Sequence, residues 1–469
     1  MVFSSAVFLL LFLPVVLSVY YVVPERVRNP VLLVSSLLFY AWGEPVYILI
    51  MLFSTVFDYG NGLLLERLDA SGKSDRRKYV LILSVTVNLG LLCFFKYTDF
   101  VIGTVDSLTG AGLSLLHIAL PVGISFYTFQ TLSYTIDVYR REVKAQHNML
   151  DFGMYICMFP QLIAGPIVKY RDVERQLAHR DIDTQRICSG ILRFVQGLGK
   201  KVLLANSLGA VWDEIASFDG RQTALTSLIG AAAYMLQIYF DFSGYSDMAI
   251  GIGRMLGFDF AENFDYPYES RSVTEFWRRW HISLGIWFRE YLYIPLGGNR
   301  RGLPRQMVNL FVVWVLTGLW HGAGWNFVVW GLYFFVLLVL EKCFLLHWLK
   351  KLPSFAARIY TLAVVLLSWV IFASEDLGHT MRYLASLCGV NGFVNATSLY
   401  YLRQHFLILA IGGFLSVSIA KKLVRRRLDK MKDDRLRFAV TAGAAAALYT
   451  VSLVMVINSS YNPFLYFRF

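Results

Sequence analysis

The sequence predicts an all-α, polytopic integral membrane protein, and three observations support this fold class. Hydrophobic residues make up 57% of the 469 positions and charged residues only 16%, whereas soluble domains carry about 25% charged residues. Apolar runs recur from end to end, each near the roughly 20 residues that cross a bilayer as a helix. Aromatic residues reach 16%, which suits interfacial belts and a packed interior.

Net charge and cysteine content argue against several other classes of protein. The net charge of +12 is interpreted as the charge of cytoplasmic loops that face anionic lipid. The expected partner is therefore a lipid bilayer, and no nucleic-acid partner is expected. The cysteines are odd in number and scattered, which favours neither a disulfide framework nor a metal site. They are Cys93, Cys157, Cys188, Cys343 and Cys388.

The first apolar segments predict a chain whose N-terminus faces outside. Residues 6–23 are interpreted as a retained first helix, because no Lys or Arg precedes them and no cleavage site is evident after them. Arg26 and Arg28 follow and indicate a cytoplasmic loop. Residues 30–64 are expected to form a hairpin that is broken at the Gly-Glu-Pro sequence of residues 43–45.

The middle of the chain predicts both spanning and broken segments. Residues 79–95 are expected to cross outward and residues 118–138 to return. Residues 152–168 are apolar but contain Pro160. A broken or re-entrant segment is expected there, and it requires protein or water to satisfy its backbone. Residues 187–209 are amphipathic and are expected to lie along the cytoplasmic interface.

The C-terminal half predicts further spans in the same membrane-embedded domain. Residues 225–256 are long and apolar, whereas residues 259–279 are too polar to span, and residues 308–340 carry His321 near their middle. Later spans are expected at residues 360–373, 406–420 and 438–457. The total is about eleven spanning or re-entrant helices in a single domain, residues 1–469, with a C-terminal extracytoplasmic tail at residues 458–469.

Two tryptophan-flanked histidines are the strongest candidates for catalysis. They occur in the strings Trp280-His281-Ile282 and Trp320-His321-Gly322. An ionisable group inside a bilayer is costly, so it is by default a functional hypothesis. A neutral imidazole near pH 7 can take a proton from a hydroxyl and return one to a leaving group. The alternative is that each histidine bridges two helices by a hydrogen bond.

Charged residues near the histidines have both functional and structural interpretations. Arg278, Arg279 and Arg289 lie close to His281, and arginine forks match carboxylate and phosphate groups. The alternative is that Arg289 and Glu290 serve in ion pairs at helix ends. Asp241 and Asp247 are expected to pair with arginine, serine or backbone groups, and the less favoured alternative is that one of them orients a histidine.

Several long strings resemble the membrane-bound O-acyltransferases. The resemblance covers nearly the whole chain and is strongest to the branch that contains alginate and peptidoglycan O-acetylation proteins and the D-alanyl-transferring protein of teichoic acid modification. It is carried by FYAW at residues 39–42, WRRWHISL at 277–284, YLYIPLGGNR at 291–300 and LWHG at 319–322. The chain opening and the YIPLGGNR run favour the alginate-type branch over the D-alanyl branch.

The resemblance implies an O-acyltransferase whose helices surround a central tunnel. The acyl group, expected to be acetyl, would pass from a cytoplasmic thioester, expected to be acetyl-CoA, to a hydroxyl. The family's invariant histidine corresponds to His321, a general base, and its second active-site residue to His281, a hydrogen-bond donor or proton shuttle. Arg278, Arg279 and Arg300 would suit the phosphates of coenzyme A. No resident cofactor or metal is expected. The sequence contains no Gly-x-Ser-x-Gly motif, so a serine acyl-enzyme is not favoured.

The terminal sequence FLYFRF has two interpretations. It could be an interfacial aromatic anchor. It also resembles C-terminal aromatic motifs of related acylation systems, which implies that Tyr466 is a transient acyl carrier. A phenol has a pKa of about 10 and is easier for histidine to activate than an aliphatic alcohol.

The resemblance also implies partners and a location. The acceptor would be an extracytoplasmic polysaccharide such as alginate or peptidoglycan, and the partner an SGNH or lipase-like acetyltransferase outside a bacterial inner membrane. The alternatives are D-alanyl transfer to teichoic acid, a proton-coupled transporter or exporter with His321 and Asp241 in a relay, and a scaffold that assembles a polysaccharide complex.

Overall fold

The computed structural model describes residues 1–163, 165–217, 221–459, 461–463 and 465. Over these residues the chain is helical and contains no β-strand, so the all-α prediction is confirmed. The chain divides into two compact units. One comprises Met1–Phe194 and Met248–Ala261, and the other comprises Val195–Asp247 and Glu262–Phe469. The expectation of a single domain with an extracytoplasmic tail stays a prediction.

Twenty-one α-helices, several of them joined by π-helical turns, follow one another along the described chain. The first ten are α1 (Leu13–Val22), α2 (Glu25–Ala41), α3 (Ile48–Ala70), α4 (Arg77–Thr109), α5 (Ile124–Arg140), α6 (Met149–Cys157), α7 (Phe159–Leu162), α8 (Tyr170–Ala178), α9 (Thr184–Gly199) and α10 (Asn206–Ala216). The others are α11 (Ala224–Met255), α12 (Val273–Arg279), α13 (Ile282–Phe288), α14 (Leu303–His321), α15 (Trp325–Leu340), α16 (Leu346–Leu349), α17 (Ser354–Ala373), α18 (Leu377–Leu387), α19 (Ala396–Leu415), α20 (Ser418–Asp429) and α21 (Asp434–Asn458). The π-helical turns are Phe8–Phe12, Lys200–Ala205, Arg289–Tyr293 and Glu341–Leu345, and short 3₁₀ turns lie at Ser74–Arg76 and Pro267–Glu269.

Six helices within the described chain are long and apolar enough to cross a membrane. The count becomes seven if α19 and α20, which meet at a bend of 70°, form one broken span. A multi-pass membrane protein is therefore confirmed. The expected total of about eleven also includes shorter and re-entrant segments and stays a prediction.

The breaks expected at Gly-Glu-Pro and at Pro160 are confirmed. The first separates α2 from α3. At the second, α6 ends at Cys157 and Pro160 falls in the first turn of α7, where its missing N–H does not interrupt a helical bond. The fully buried Gln161 donates from Nε2 to the Tyr155 carbonyl at 2.5 Å. A side chain therefore satisfies part of the backbone that the break leaves open.

The prediction of one segment over residues 308–340 is wrong, because the chain turns back at residues 322–324. α14 and α15 form a tight antiparallel hairpin, and His321 is the last residue of α14 rather than the middle of a span. A Cβ atom on Gly318 would collide with the Phe327 carbonyl, and one on Gly331 would collide with the Trp314 carbonyl. Glycine at these positions therefore allows the two backbones to approach closely.

Candidate active site

The two histidines both end or interrupt a helix in the second unit. His321 closes α14 and is 8% exposed, whereas His281 lies in the break between α12 and α13 and is 1% exposed. His281 has a φ of 43°, in the left-handed region that side chains rarely adopt. Such a conformation persists only where surrounding contacts hold it, and it is enriched at functional sites.

The indole of Trp320 brings the two histidines together. Its ring centroid is 5.8 Å from the His281 ring and 5.0 Å from the His321 ring. The separation of the two imidazoles therefore cannot exceed the sum of these distances. Residues that are forty positions apart in the sequence thus share one aromatic neighbour, as the resemblance required.

Aromatic rings surround the His321 imidazole on several sides. Trp330 of α15 lies at 5.0 Å and Phe372 of α17 at 5.4 Å, both nearly perpendicular to the imidazole. Asn326 holds the start of α15 to the end of α17 by donating to the Ser374 carbonyl at 2.9 Å. The surroundings are apolar and closely packed, so electrostatic interactions here are weakly screened.

Asn263 fixes the orientation of His281, and the sequence analysis missed this residue. It is fully buried, and its Oδ1 lies 3.2 Å from His281 Nδ1. The same oxygen accepts from the backbone N–H of Ser283 at 3.2 Å and from the Ser283 hydroxyl at 2.9 Å. The Asn263 amide nitrogen donates to Ser246 Oγ at 3.1 Å. A lone polar residue in an irregular segment carries no periodic signal, so nothing in the sequence singled it out.

This network determines the tautomer of His281. A backbone N–H can only donate, so the atom that accepts from Ser283 must be the amide oxygen of Asn263. His281 Nδ1 therefore carries the proton that it donates to that oxygen, and Nε2 carries the lone pair. The Nε2 atom is buried and has no hydrogen-bond partner within the described chain. His281 lies outside the candidate spans, and burial lowers its pKa from 6.5 to about 3, so the imidazole is neutral at pH 7.

A buried glutamate supports the short helix that leads to His281. The carboxylate of Glu341 accepts from the backbone N–H groups of Val273 and Thr274 at 2.6 and 2.8 Å and from the Thr274 hydroxyl at 2.7 Å. It satisfies N–H groups that have no partner inside α12. Ser272 also caps this helix by accepting from the Glu275 N–H at 3.0 Å. Sequence analysis did not select Glu341, because its partners are 67 and 68 positions away.

The three arginines proposed for donor binding have different environments. Arg278 and Arg300 are exposed and form no ion pair with the described residues. Arg279 Nη2 lies 2.9 Å from Glu275 one helical turn earlier, and a second guanidinium nitrogen donates to the Asp265 carbonyl at 3.3 Å. Arg279 therefore forms an ion pair within α12 that the sequence analysis did not predict. A role in donor binding stays a prediction for all three.

Both aspartates pair with lysine, which the sequence analysis did not expect, and Asp241 also has the expected backbone partner, because its Oδ2 accepts from the Leu465 N–H at 3.0 Å. Asp241 Oδ1 lies 2.5 Å from Lys201, and Asp247 Oδ2 lies 2.7 Å from Lys200.

Tyr466, the proposed acyl carrier, lies outside the described residues. Within the described chain, no group of three His, Cys, Asp or Glu side chains could hold a metal ion.

Two buried imidazoles with aromatic walls thus lie in one unit of a multi-pass helical protein, and paired imidazoles can carry out acid–base chemistry. The model of the membrane-bound O-acyltransferase family matches residues 138–375, a stretch that contains both histidines. The chain belongs to this family and is an O-acyltransferase.

Three relatives indicate the breadth of the similarity. The chain is 45% identical over 419 residues to the "Probable alginate O-acetylase AlgI" of Pseudomonas aeruginosa, covering 87% of this chain and 80% of that protein. It is 30% identical to the peptidoglycan O-acetyltransferase of Helicobacter pylori over 100% of this chain and 98% of that protein. It is 26% identical to the teichoic acid D-alanyltransferase of Bacillus subtilis over 55% of this chain and 70% of that protein.

Proposed function

We propose that this protein transfers an acetyl group from cytoplasmic acetyl-CoA, through a tunnel in the membrane, for O-acetylation of an extracytoplasmic polysaccharide such as alginate or peptidoglycan. The observation that carries the proposal is the packing of His281 and His321 against the same indole in an O-acyltransferase. Full-length similarity to alginate and peptidoglycan O-acetylating proteins supports the acceptor class. The protein would reside in a bacterial inner membrane.

The reaction needs a base, a stabiliser for the oxyanion and a proton for the leaving thiol. His321 takes the proton of the attacking hydroxyl as its oxygen bonds to the thioester carbonyl carbon. Collapse of the tetrahedral intermediate breaks the C–S bond, and the proton held by imidazolium passes to the thiolate of coenzyme A. Acyl ester and free thiol are the only products, so no oxidant or metal enters the balance.

His281 has a narrower set of roles in this scheme. Its Nδ1–H is bound to Asn263, so Nε2 faces the reaction as an acceptor in the neutral state. Nε2 can accept a hydrogen bond from the attacking hydroxyl or shuttle a proton, and it can donate to an oxyanion only as imidazolium. The indole N–H of Trp330, fully buried beside His321 and without a partner among the described residues, is a candidate oxyanion donor.

The first acceptor in this scheme is Tyr466. The acetyl group would pass to its phenol oxygen and then to a serine of an SGNH or lipase-like partner outside the membrane, which completes transfer to the polysaccharide. This route would let one membrane-embedded site serve a polymer that does not enter the bilayer. The cationic residues Arg278, Arg279 and Arg300 would bind the phosphates of the donor at the cytoplasmic mouth of the tunnel.

The test is single-turnover transfer from labelled acetyl-CoA by purified protein in lipid nanodiscs. His321→Ala should lower the rate of thiol release by about two to four orders of magnitude, as removal of a general base does. His347, an exposed histidine of the same unit, provides the control, and His347→Ala should retain the rate.

Three outcomes would revise the proposal. A folded His321→Ala protein with near-wild-type turnover would overturn the role of His321. If the protein prefers a D-alanyl thioester to acetyl-CoA, the proposed acetyl donor is wrong and a D-alanyl donor takes its place. Wild-type acetylation of the polymer by Tyr466→Phe, which keeps the ring and removes the hydroxyl, would exclude the carrier.

A further inference from the structure

The C-terminal segment of the chain, residues 461–463 and 465, packs against other elements of the second unit. The Tyr461 hydroxyl donates to Asp213 at 2.5 Å, and the Asn206 amide donates to the Tyr461 carbonyl at 3.4 Å and to the Asn462 side chain at 3.3 Å. Leu465 is 5% exposed and belongs to the hydrophobic cluster that also contains Trp280, Trp330 and Phe372. The segment therefore reaches the same core whose aromatic rings surround the histidines.

One face of α10 is shaped for this segment. Asn206, Gly209 and Asp213 are spaced at i, i+3 and i+7, so they share a helix face. Asn206 and Asp213 bind the tail directly. A Cβ atom on Gly209 would come within 2.9 Å of the Tyr461 hydroxyl and 2.5 Å of Gln237 Nε2. Glycine at this position therefore leaves the room that Tyr461 occupies.

Beyond this face, a buried ion pair holds the tail backbone at two points. Lys201 and Asp241 are 2.5 Å apart, with side chains only 3% and 4% exposed. The Lys201 ammonium also donates to the Pro463 carbonyl, and Asp241 Oδ2 accepts from the Leu465 N–H at 3.0 Å. A buried ion pair is by itself weak evidence for stability. Here each charge also satisfies a backbone group of the tail, one and three residues before Tyr466.

We propose that the Lys201–Asp241 pair is a docking clamp that positions the chain's own C-terminal segment, and hence Tyr466, for acyl transfer. Both residues are positioning residues. The positioning of Tyr466 as an acyl carrier rests on the proposed function, whereas docking of the tail by the clamp does not.

The neighbouring pair Lys200–Asp247 provides a matched control. It joins the same two helical segments at 2.7 Å, with the Lys200 side chain 30% exposed. The backbone groups at positions 463 and 465 bond to Lys201 and Asp241 instead. Any effect specific to the clamp should therefore appear when Lys201 and Asp241 are replaced and not when Lys200 and Asp247 are replaced.

The experiment measures hydrogen–deuterium exchange of the C-terminal peptide in full-length protein in nanodiscs. Lys201→Met combined with Asp241→Leu removes both charged groups of the clamp and leaves neither of these charges buried, a replacement that folded proteins often tolerate. Exchange at the Leu465 amide should accelerate at least tenfold. Lys200→Met combined with Asp247→Leu should leave it unchanged.

A charge swap tests the clamp independently of hydrophobic replacement. Lys201→Asp combined with Asp241→Lys retains an ion pair of opposite direction. The carboxylate introduced at position 201 cannot donate to the Pro463 carbonyl, and the ammonium introduced at position 241 cannot accept from the Leu465 N–H. The swap should therefore also release the tail. Parental exchange in either folded double variant would overturn the clamp.

Tyr466→Phe separates the clamp from the carrier. If the tail is released by the clamp variants and both they and Tyr466→Phe lose polymer acetylation, the clamp positions a carrier. If the tail is released while Tyr466→Phe still acetylates the polymer normally, the clamp docks the tail but the carrier is wrong. If the clamp variants keep the tail protected while Tyr466→Phe loses acetylation, the carrier stands and the clamp is overturned.

Discussion

Substitution of Asn263 should impair the site without removing a catalytic group. Asn263→Ala deprives two buried N–H groups, His281 Nδ1–H and the Ser283 backbone N–H, of their shared acceptor, and it also removes that acceptor from the rotatable Ser283 hydroxyl. Each unsatisfied buried donor costs about 1–3 kcal/mol, so the free energy of unfolding should fall by about 2–6 kcal/mol unless water enters. The imidazole would also lose its fixed tautomer, and the acyl-transfer rate should fall by about two orders of magnitude, the lower end for a general acid–base group.

Asn263→Asp should preserve the geometry while changing the titration of His281. A carboxylate still accepts from Nδ1 and Ser283, and its negative charge favours imidazolium, so the pKa of His281 should rise from about 3. As the pH falls, His281 would then become protonated at a higher pH than in the parent protein. The acidic limb of the pH–rate profile should therefore shift to higher pH. In the parent protein the depressed pKa favours the folded state above pH 6.5, and this contribution is lost as the pH falls from 6.5 towards 3.

Single-turnover rates between about pH 3 and 8.5, with melting temperatures of the same samples, measure both effects, because this range includes the parental pKa of His281. Ser246→Ala provides the control, because it removes only the partner of the Asn263 amide nitrogen and leaves the His281 contact in place. A folded Asn263→Ala protein with the parental rate and pH profile would refute the role of Asn263. An unshifted acidic limb in Asn263→Asp would refute the link to His281.

Two further predictions test donor binding and the helical hairpin. Arg279→Glu should raise KM for acetyl-CoA roughly 10- to 100-fold, the loss of one charge-assisted hydrogen bond. Glu275→Gln, which weakens the shortest ion pair of Arg279 and keeps its contact with Asp265, should not raise KM. Equal increases in KM for both variants would assign Arg279 to a structural ion pair. Gly331→Ala should lower the melting temperature and the rate, because its Cβ collides with the Trp314 carbonyl and overpacking costs about 1–3 kcal/mol. Gly90→Ala, with nothing within 4 Å of the new methyl group, is the control and should be neutral or slightly stabilising.

Local sequence determined much of the architecture because helices and their interruptions depend on nearby residues. Long apolar runs predicted the spans, and Pro160 predicted the break between α6 and α7. The same reasoning failed at residues 308–340. The turn at residues 322–324 contains two glycines but no charged residue, so the whole stretch has the apolar composition of a continuous span. Hydropathy reports the burial of a segment and contains no information about its direction, so a tight hairpin and a single long helix look alike.

By itself, the sequence determined the membrane class, the helical composition and the two histidines as candidates. The tertiary structure decided which groups meet: the indole of Trp320 between the imidazoles, Asn263 on His281, Glu341 at the start of α12, and the tail on Lys201 and Asp241. These contacts join residues that are far apart in the chain and depend on how helices pack. A single buried polar residue has no periodicity and no local partner, so its role becomes visible only when folding supplies the group that it binds.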